Sequence, residues 1–221
     1  MRIGGKEVVT YLGGQLDQNL SGVSMAQKIL QKSNAGLKFL YRKRLFLNVR
    51  CKKILCMAMI QSRLDYACNF YYHSLPNHMK SRLQVIQNKM IRFIMNYGSR
   101  EHLNTDDFKK VKWLNIENRV KYLAVNHMYK CLNGQAPEYM QVFTRVNESH
   151  RYNTRSSSDS VILPQFGSFG LKSFKYIGAK IWNSLPNELK WCESKDALKI
   201  KCKEHLFSEM EISESDIYLY Y

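Results

Sequence analysis

Residues 24–46 read SMAQKILQKSNAGLKFLYRKRLF, and this stretch decides the fold class. Projected at 100° per residue, Ala26, Ile29, Leu30, Leu37, Leu40 and Tyr41 fall within one arc of roughly 120°. Lys28, Lys32, Lys38, Arg42 and Lys43 fall on the opposite side. One apolar stripe at helical spacing predicts an α-helix that buries one face. The other face is basic and carries no acid. Solvated helix faces ordinarily mix signs, because opposite charges at i and i+4 support the helix. A face with no acid at all is therefore a candidate polyanion surface.

Toward the N-terminus, Val8-Val9-Thr10-Tyr11-Leu12 is β-branched and aromatic and runs into Gly13-Gly14. This predicts a short strand and then a turn. Leu16-Asp17 and Leu20-Ser21 lead into the helix. Toward the C-terminus, a second helix is predicted over 49–70. Its apolar residues, Ile54, Leu55, Met57, Met59, Ile60 and Leu64, go nearly all the way round. That pattern makes it the central, most buried helix. Ser74-Leu75-Pro76-Asn77 breaks it, and a third helix is predicted over 79–96. Met79, Leu83, Ile86, Met90, Phe93 and Ile94 form its apolar stripe, with Lys80, Arg82, Lys89 and Arg92 off it. Three such helices make a bundle.

Tyr97-Gly98-Ser99 closes a first domain, residues 1–98. A smaller helical region follows over 99–221. There Thr105-Asp106-Asp107 reads as an N-cap and acidic first turn for a helix from Phe108 to Trp113. A longer helix spans 116–132, stopped by Asn133-Gly134 and Pro137. A short helix is expected over 138–146, a polar loop over 148–160, and an extended piece at Val161-Ile162-Leu163-Pro164. Apolar spacing at Phe174, Ile177, Ile181 and Trp182 predicts a helix over 173–182, and Ser194 caps a last one over 195–210. Trp182, Asn183 and Pro186 read as an aromatic anchor, a polar turn residue and a helix stop. The fold class is mainly α with short extended segments.

Charge sharpens the picture. The 221 residues hold 34 Lys and Arg against 18 acids, a net +16. Residues 1–100 hold 17 basic residues and three acids, Glu7, Asp17 and Asp65. Between Asp17 and Asp65 there are ten Lys or Arg and no acid. The far end is the reverse, with five acids after Lys203, and reads as a solvated tail. The longest apolar run, Ile54 to Ile60, is seven residues. A membrane span needs about 20, so none is expected. Met1 to Lys6 leads into no apolar segment, so no signal peptide is expected and the location inferred is intracellular, nucleus or cytoplasm. The six cysteines are then reduced thiols. None has CxxC spacing, and no zinc site is expected.

Chemistry-bearing patterns are sparse. Asp106-Asp107 is the one Asp-Asp pair, and its place at a helix start favours capping over cation binding. There is no P-loop, no dinucleotide-binding glycine pattern and no GxSxG elbow. The six histidines are scattered, none beside a nucleophile. No catalytic constellation and no cofactor are expected, and the chain reads as a non-enzyme.

Several motifs recur together in one order. Tyr11-Leu12-Gly13, Leu16-Asp17 and Leu20-Ser21 resemble the "YLG…LD..LS" segment of non-LTR, LINE-type retrotransposon reverse transcriptases of the jockey-like clades. Leu64-Asp65-Tyr66 resembles the family's "LDY", although Phe70-Tyr71 stands where a Trp is usual. Leu83 through Arg92 resembles "L…QN…R", and Trp113-Leu114 through Arg119 resembles "WL.I..R". Tyr152, Thr154-Arg155, Leu163-Pro164, Ser173-Phe174, Trp182-Asn183, Leu185-Pro186 and the helix ending in Leu206-Phe207 complete the set. Together they cover about residues 8–207. The resemblance implies the thumb and C-terminal region of an RNA-directed DNA polymerase, a part that grips the template–primer duplex. The palm, with its aromatic-x-Asp-Asp motif, and the endonuclease region are not in the chain. Without carboxylates for two metals, the chain is not expected to polymerise alone.

The residues expected to contact phosphates are Lys28, Lys32, Lys38, Arg42, Lys43, Arg44, Lys52 and Lys53. Arg151, Tyr152 and Arg155, in the polar loop, are expected to contact single-stranded RNA by charge and stacking. The partners implied are RNA, DNA or an RNA–DNA hybrid, and a palm domain supplied elsewhere. Two alternatives remain open at this point. One is a basic helical adaptor for a protein or an anionic surface. The other is an inert fragment whose core was built to pack on an absent palm.

Overall fold

The computed structural model describes residues 8–146, 160–167 and 170–218, with side chains as far as 210. The chain is mainly α-helical with one two-stranded hairpin. It divides into two units, Met1–Ile116 and Glu117–Tyr221.

The first unit opens with strands β1 (Val8–Tyr11) and β2 (Gly14–Asp17), antiparallel, with Val8 opposite Asp17 and Tyr11 opposite Gly14. Leu12 and Gly13 form the two-residue loop, both at positive φ, 47° and 83°. That mirror-image turn matches the right-handed twist of the strands it joins. Gly14, expected to end a strand, thus begins a second one. Asp17 then closes the next bend. Its carboxylate accepts the Ser21 amide at 2.8 Å and the Ser21 hydroxyl at 2.9 Å. Burial pushes this carboxyl up, but the bonds from Ser21, Asn19 and Gly22 outweigh that and hold it below the usual range.

Gly22 caps helix α1 (Val23–Arg42) at φ 73°. A Cβ there would lie 2.6 Å from the Tyr71 carbonyl oxygen, so glycine is required by space as well as by φ. α1 buries Ala26, Ile29, Leu30, Leu37 and Leu40 of the stripe its periodicity predicts, whereas Tyr41 at the end of that stripe stays exposed. It ends at Arg42, short of the expected Phe46, and a 3₁₀ turn over Arg44–Phe46 follows.

The second helix departs from expectation. α2 (Val49–Cys56) passes through a π-helical turn (Met57–Gln61) into the short α3 (Ser62–Asp65). The chain then leaves helix at Tyr66, and Ala67 takes a left-handed φ of 52° before α4 (Cys68–Tyr71). The run is not buried all round: Ile54 and Met57 are exposed. The buried row is Lys52, Cys56, Ile60 and Leu64, spaced by four, with Gln61 buried beside it in the π turn. A regular helix drifts about 40° per step of four. The wider π turn absorbs part of that drift and keeps the row facing the bundle. Tyr66 leaves the helix because its hydroxyl donates to the Leu12 carbonyl at the hairpin loop. Tyr71 turns inward and donates to the Leu64 carbonyl at 2.8 Å.

α5 (Asn77–Met95) packs against α1 and α2, and its predicted stripe from Met79 to Ile94 is buried throughout. α6 (Thr105–Val111) is capped by Asn104 rather than Thr105, in a reciprocal capping box with Asp107. The segment after residue 98 belongs to this first unit. Gln87 Nε2 donates to the Leu114 carbonyl at 2.9 Å, and the Ile116 amide donates to Gln84 Oε1 at 2.9 Å. These bonds tie 99–116 to α5, so the first unit runs on past Gly98 to Ile116.

The second unit begins at Glu117, the second residue of α7 (Ile116–Leu132), and holds α8 (Phe174–Ser184), α9 (Asn187–Lys190) and α10 (Lys195–Tyr218). Asn118 of α7 donates to the Leu206 carbonyl of α10 at 2.9 Å, and the Tyr129 hydroxyl donates to the Glu193 carbonyl at 3.1 Å. Between 138 and 145 the only helical turn is the 3₁₀ turn Glu138–Met140, and the expected helix over 138–146 does not form there. The chain extends instead, and Arg145 forms an antiparallel bridge with Val161. β-branched Val142 and Thr144 suit that extended form. Asn183 is a clamp rather than a turn residue: it accepts the Val161 amide and donates to the Val161 carbonyl, both at 2.8 Å. Trp182 is buried, as an anchor should be.

Candidate nucleic-acid interface

The candidate surface is the outer side of α1. Lys32, Lys38, Arg42, Lys43 and Arg44 are exposed. Lys28 is half-buried, and its ammonium donates to the Gly13 carbonyl at 2.9 Å, tying the hairpin to α1. Among the described residues, none of the ten cations between Asp17 and Asp65 has a carboxylate within salt-bridge range. The basic charge of this face is thus directed at solvent. Lys28 and Arg42 lie about 21 Å apart along the helix axis, the length of about six base pairs. Phe39, 53% exposed, lies among these cations at helical spacing. Past the end of the helix, Leu45 and Phe46 are 86% and 84% exposed.

Two clefts open beside the cations. The smaller, about 280 Å³, is lined by Lys28, Lys32, Arg63 and Tyr66. Arg63 reaches it by donating to the Lys32 carbonyl at 2.9 Å. The larger, about 460 Å³, is lined by Arg44, Lys52 and Arg92 together with Tyr41, Asn96 and Tyr97. Arg92 is held by donating through Nε to the Glu101 carbonyl at 2.9 Å. Asn96, the left-handed residue that ends α5, presents its Oδ1 to the Lys52 ammonium. That ammonium also stands 5.3 Å from the centroid of the Phe93 ring. Phe93 in turn meets Tyr41 edge-on at 5.0 Å.

The expected phosphate contacts therefore separate. Lys32, Lys38, Arg42, Lys43 and Arg44 are exposed, as such contacts would require. Lys28 is shared with the hairpin. Lys52 is not a surface contact: it is 3% exposed and lies on the inward row of α2. Lys53 is half-buried and lines neither cleft. Arg151, Tyr152 and Arg155 lie outside the described residues. Arg63, Arg92 and Asn96 were not singled out from the sequence. Arg63 carried a signal, since it falls within the acid-free interval. Arg92 and Asn96 come close to Lys52 only through the packing of α5 on α2.

Other reactive groups are occupied in the fold. Asp107 caps α6, accepts the Tyr97 hydroxyl at 2.9 Å and pairs with Lys110 at 3.2 Å. Burial pushes the Cys56 and Cys202 thiols up to about 12, far from thiolate chemistry at neutral pH. None of the six cysteines is joined in a disulfide. Among the described residues no group of three or more His, Cys, Asp or Glu is placed to hold a metal ion, and no helix is long and apolar enough to cross a membrane. No family model, no curated protein and no solved structure matches the chain.

Proposed function

We propose that the chain binds nucleic acid, gripping an RNA–DNA hybrid or another duplex through phosphate contacts along α1, and does not polymerise by itself. The observation that carries this reading is the α1 face, with exposed cations and, among the described residues, no carboxylate to neutralise them. Phosphates take the place of the missing acids and release condensed counterions, so the affinity is electrostatic and independent of sequence. The motif resemblance to the thumb of LINE-type reverse transcriptases favours a template–primer duplex as the target and a separately supplied palm as the partner.

Anisotropy of a labelled RNA–DNA hybrid, titrated with the full chain over a range of salt, tests this. Log affinity should fall linearly with log salt, with a slope corresponding to roughly four to eight phosphates. Reversing Lys32, Lys38, Arg42 and Lys43 to Glu should remove most of the binding. All four are exposed, so the fold should survive the change. Absence of binding at low salt by a folded chain overturns the reading. One observation favours a second: Leu45 and Phe46 project beside Lys43 and Arg44, the combination by which a loop enters an anionic membrane surface. Binding to anionic vesicles that matches or exceeds binding to the hybrid would replace the first reading with that one.

A further inference from the structure

Lys52 is the anomaly of the first unit. It occupies the inward row that continues through Cys56, Ile60 and Leu64, where a hydrophobic residue would be ordinary. A buried ammonium carries three donors and a charge that must be compensated. The described structure shows one neutral acceptor, Asn96 Oδ1, and the face of Phe93. No carboxylate lines the cleft of about 460 Å³ on which Lys52 borders. Asp107, which accepts the hydroxyl of Tyr97 on the cleft wall, is already matched by Lys110. Two more cations, Arg44 and Arg92, line the same cleft, and Arg92 is braced by the Glu101 carbonyl. Breaking even with a buried cation requires an anion, and three cations around one cleft call for more than a single negative charge.

We propose that this cleft binds a nucleotide through a terminal phosphate, the phosphomonoester lying against Lys52, Arg44 and Arg92 and the base against Tyr41 or Tyr97. A phosphomonoester carries about −1.5 to −2 at neutral pH, against −1 for the diester inside a strand, so it matches three cations better. The arginines offer the paired donors that phosphate oxygens accept, and Lys52 supplies a fixed point charge. The volume lies in the range of small-molecule sites, roughly 300–1,000 Å³, and the aromatic walls supply a surface for a base. Placed beyond the C-terminal end of the α1 basic face, the cleft receives the phosphorylated 5′ end of a strand whose diesters follow that face. This placement rests on the nucleic-acid reading above, whereas the cleft's affinity for a phosphomonoester does not.

The test uses the full chain and two ligand pairs. In the first, a 3′-labelled single strand carries either a 5′-phosphate or a 5′-hydroxyl. The phosphorylated strand should bind roughly tenfold more tightly, the effect expected of one charge-assisted contact set. In the second, adenosine 5′-monophosphate should raise the melting temperature and adenosine should not. Lys52→Met should abolish both differences. Arg44→Ala, at an exposed residue whose loss does not threaten the fold, should weaken both. Lys180→Glu in the second unit should leave both intact. If the mononucleotide stabilises the chain and Arg44→Ala weakens that stabilisation, the cleft stands even where no strand binds, and only the nucleic-acid reading fails. If neither the 5′-phosphate nor the mononucleotide is distinguished from its hydroxyl counterpart, the proposal is overturned, however tightly a duplex binds.

Discussion

At the scale of single residues, two helical glycines separate conformational need from mere tolerance. Gly22 sits at positive φ, and a Cβ on it would press within 2.6 Å of the Tyr71 carbonyl oxygen. Gly36 is in the middle of α1 at ordinary helical φ, and its Cβ would meet Ile60 Cγ1 at 3.5 Å and Arg63 Nη1 at 3.7 Å, normal contact distances. Gly22→Ala should therefore cost about 1–3 kcal/mol through strain and backbone displacement. Gly36→Ala should add about 0.5–1 kcal/mol, because alanine loses less backbone entropy in a helix. Urea unfolding of the two variants checks both signs, and a destabilised Gly36→Ala would mean that α1 and the π turn are packed more tightly than these distances allow. The same scale shows what a side-chain inventory leaves out. That Lys52 is a cation was legible in the sequence, and so was its i,i+4 spacing to Cys56, Ile60 and Leu64. Its burial was not, because the site that receives it is built by Phe93 and Asn96 on another helix.

Elements were legible where one strong periodic stripe decided them. α1 and α5 follow their apolar spacing, although α1 ends at Arg42, four residues before the expected Phe46, and α7 ends where Asn133-Gly134 was expected to stop it. The second helix was less legible because its apolar residues surround it, and a pattern without a preferred face holds no information about where a π turn or a break falls. β2 was missed for the opposite reason: Gly14-Gln15-Leu16-Asp17 has almost no strand propensity, and pairing across the Leu12-Gly13 loop forms it. A two-stranded hairpin is marginal alone in water. Here it is held by two side chains at its loop, Tyr66 through the Leu12 carbonyl and Lys28 through the Gly13 carbonyl. Tyr66→Phe removes one of these at nearly constant volume and should weaken the hairpin by about 1 kcal/mol. Amide hydrogen exchange should accelerate over residues 8–17 while the amides of α1 and α5 keep their protection. Equal acceleration in all three would show that Tyr66 supports the bundle rather than the hairpin.

Over the whole molecule, charge is partitioned between the two units more sharply than any other property. Residues 1–116 hold 20 Lys and Arg against six acids, and residues 117–221 hold 14 against 12. The pairing leaves α1 aside, since the first unit's Lys110–Asp107 pair lies on α6. In the second unit Lys121 meets Glu209 at 3.4 Å and Lys199 meets Asp196 at 2.7 Å, while the described cations of α1 have no such partner. Exposed pairs of this kind contribute little to stability, about 0–1 kcal/mol, but they lower the field that a polyanion meets. A phosphate backbone should therefore be gripped by the first unit alone, and the salt dependence of binding can locate the grip without a structure of the complex. Each phosphate contact adds about 0.9 to the slope of log affinity against log salt on duplex DNA. Lys38→Gln with Arg42→Gln should reduce that slope by about two, and the affinity roughly uniformly across sequences. Lys180→Gln with Lys201→Gln removes the same number of exposed charges from the second unit and should leave the slope unchanged. Net charge falls equally in the two double variants, so a slope that responds only to the first pair reports contact rather than long-range attraction. Equal responses would show that the affinity follows the total charge of the chain, and would remove α1 from its place as the nucleic-acid surface.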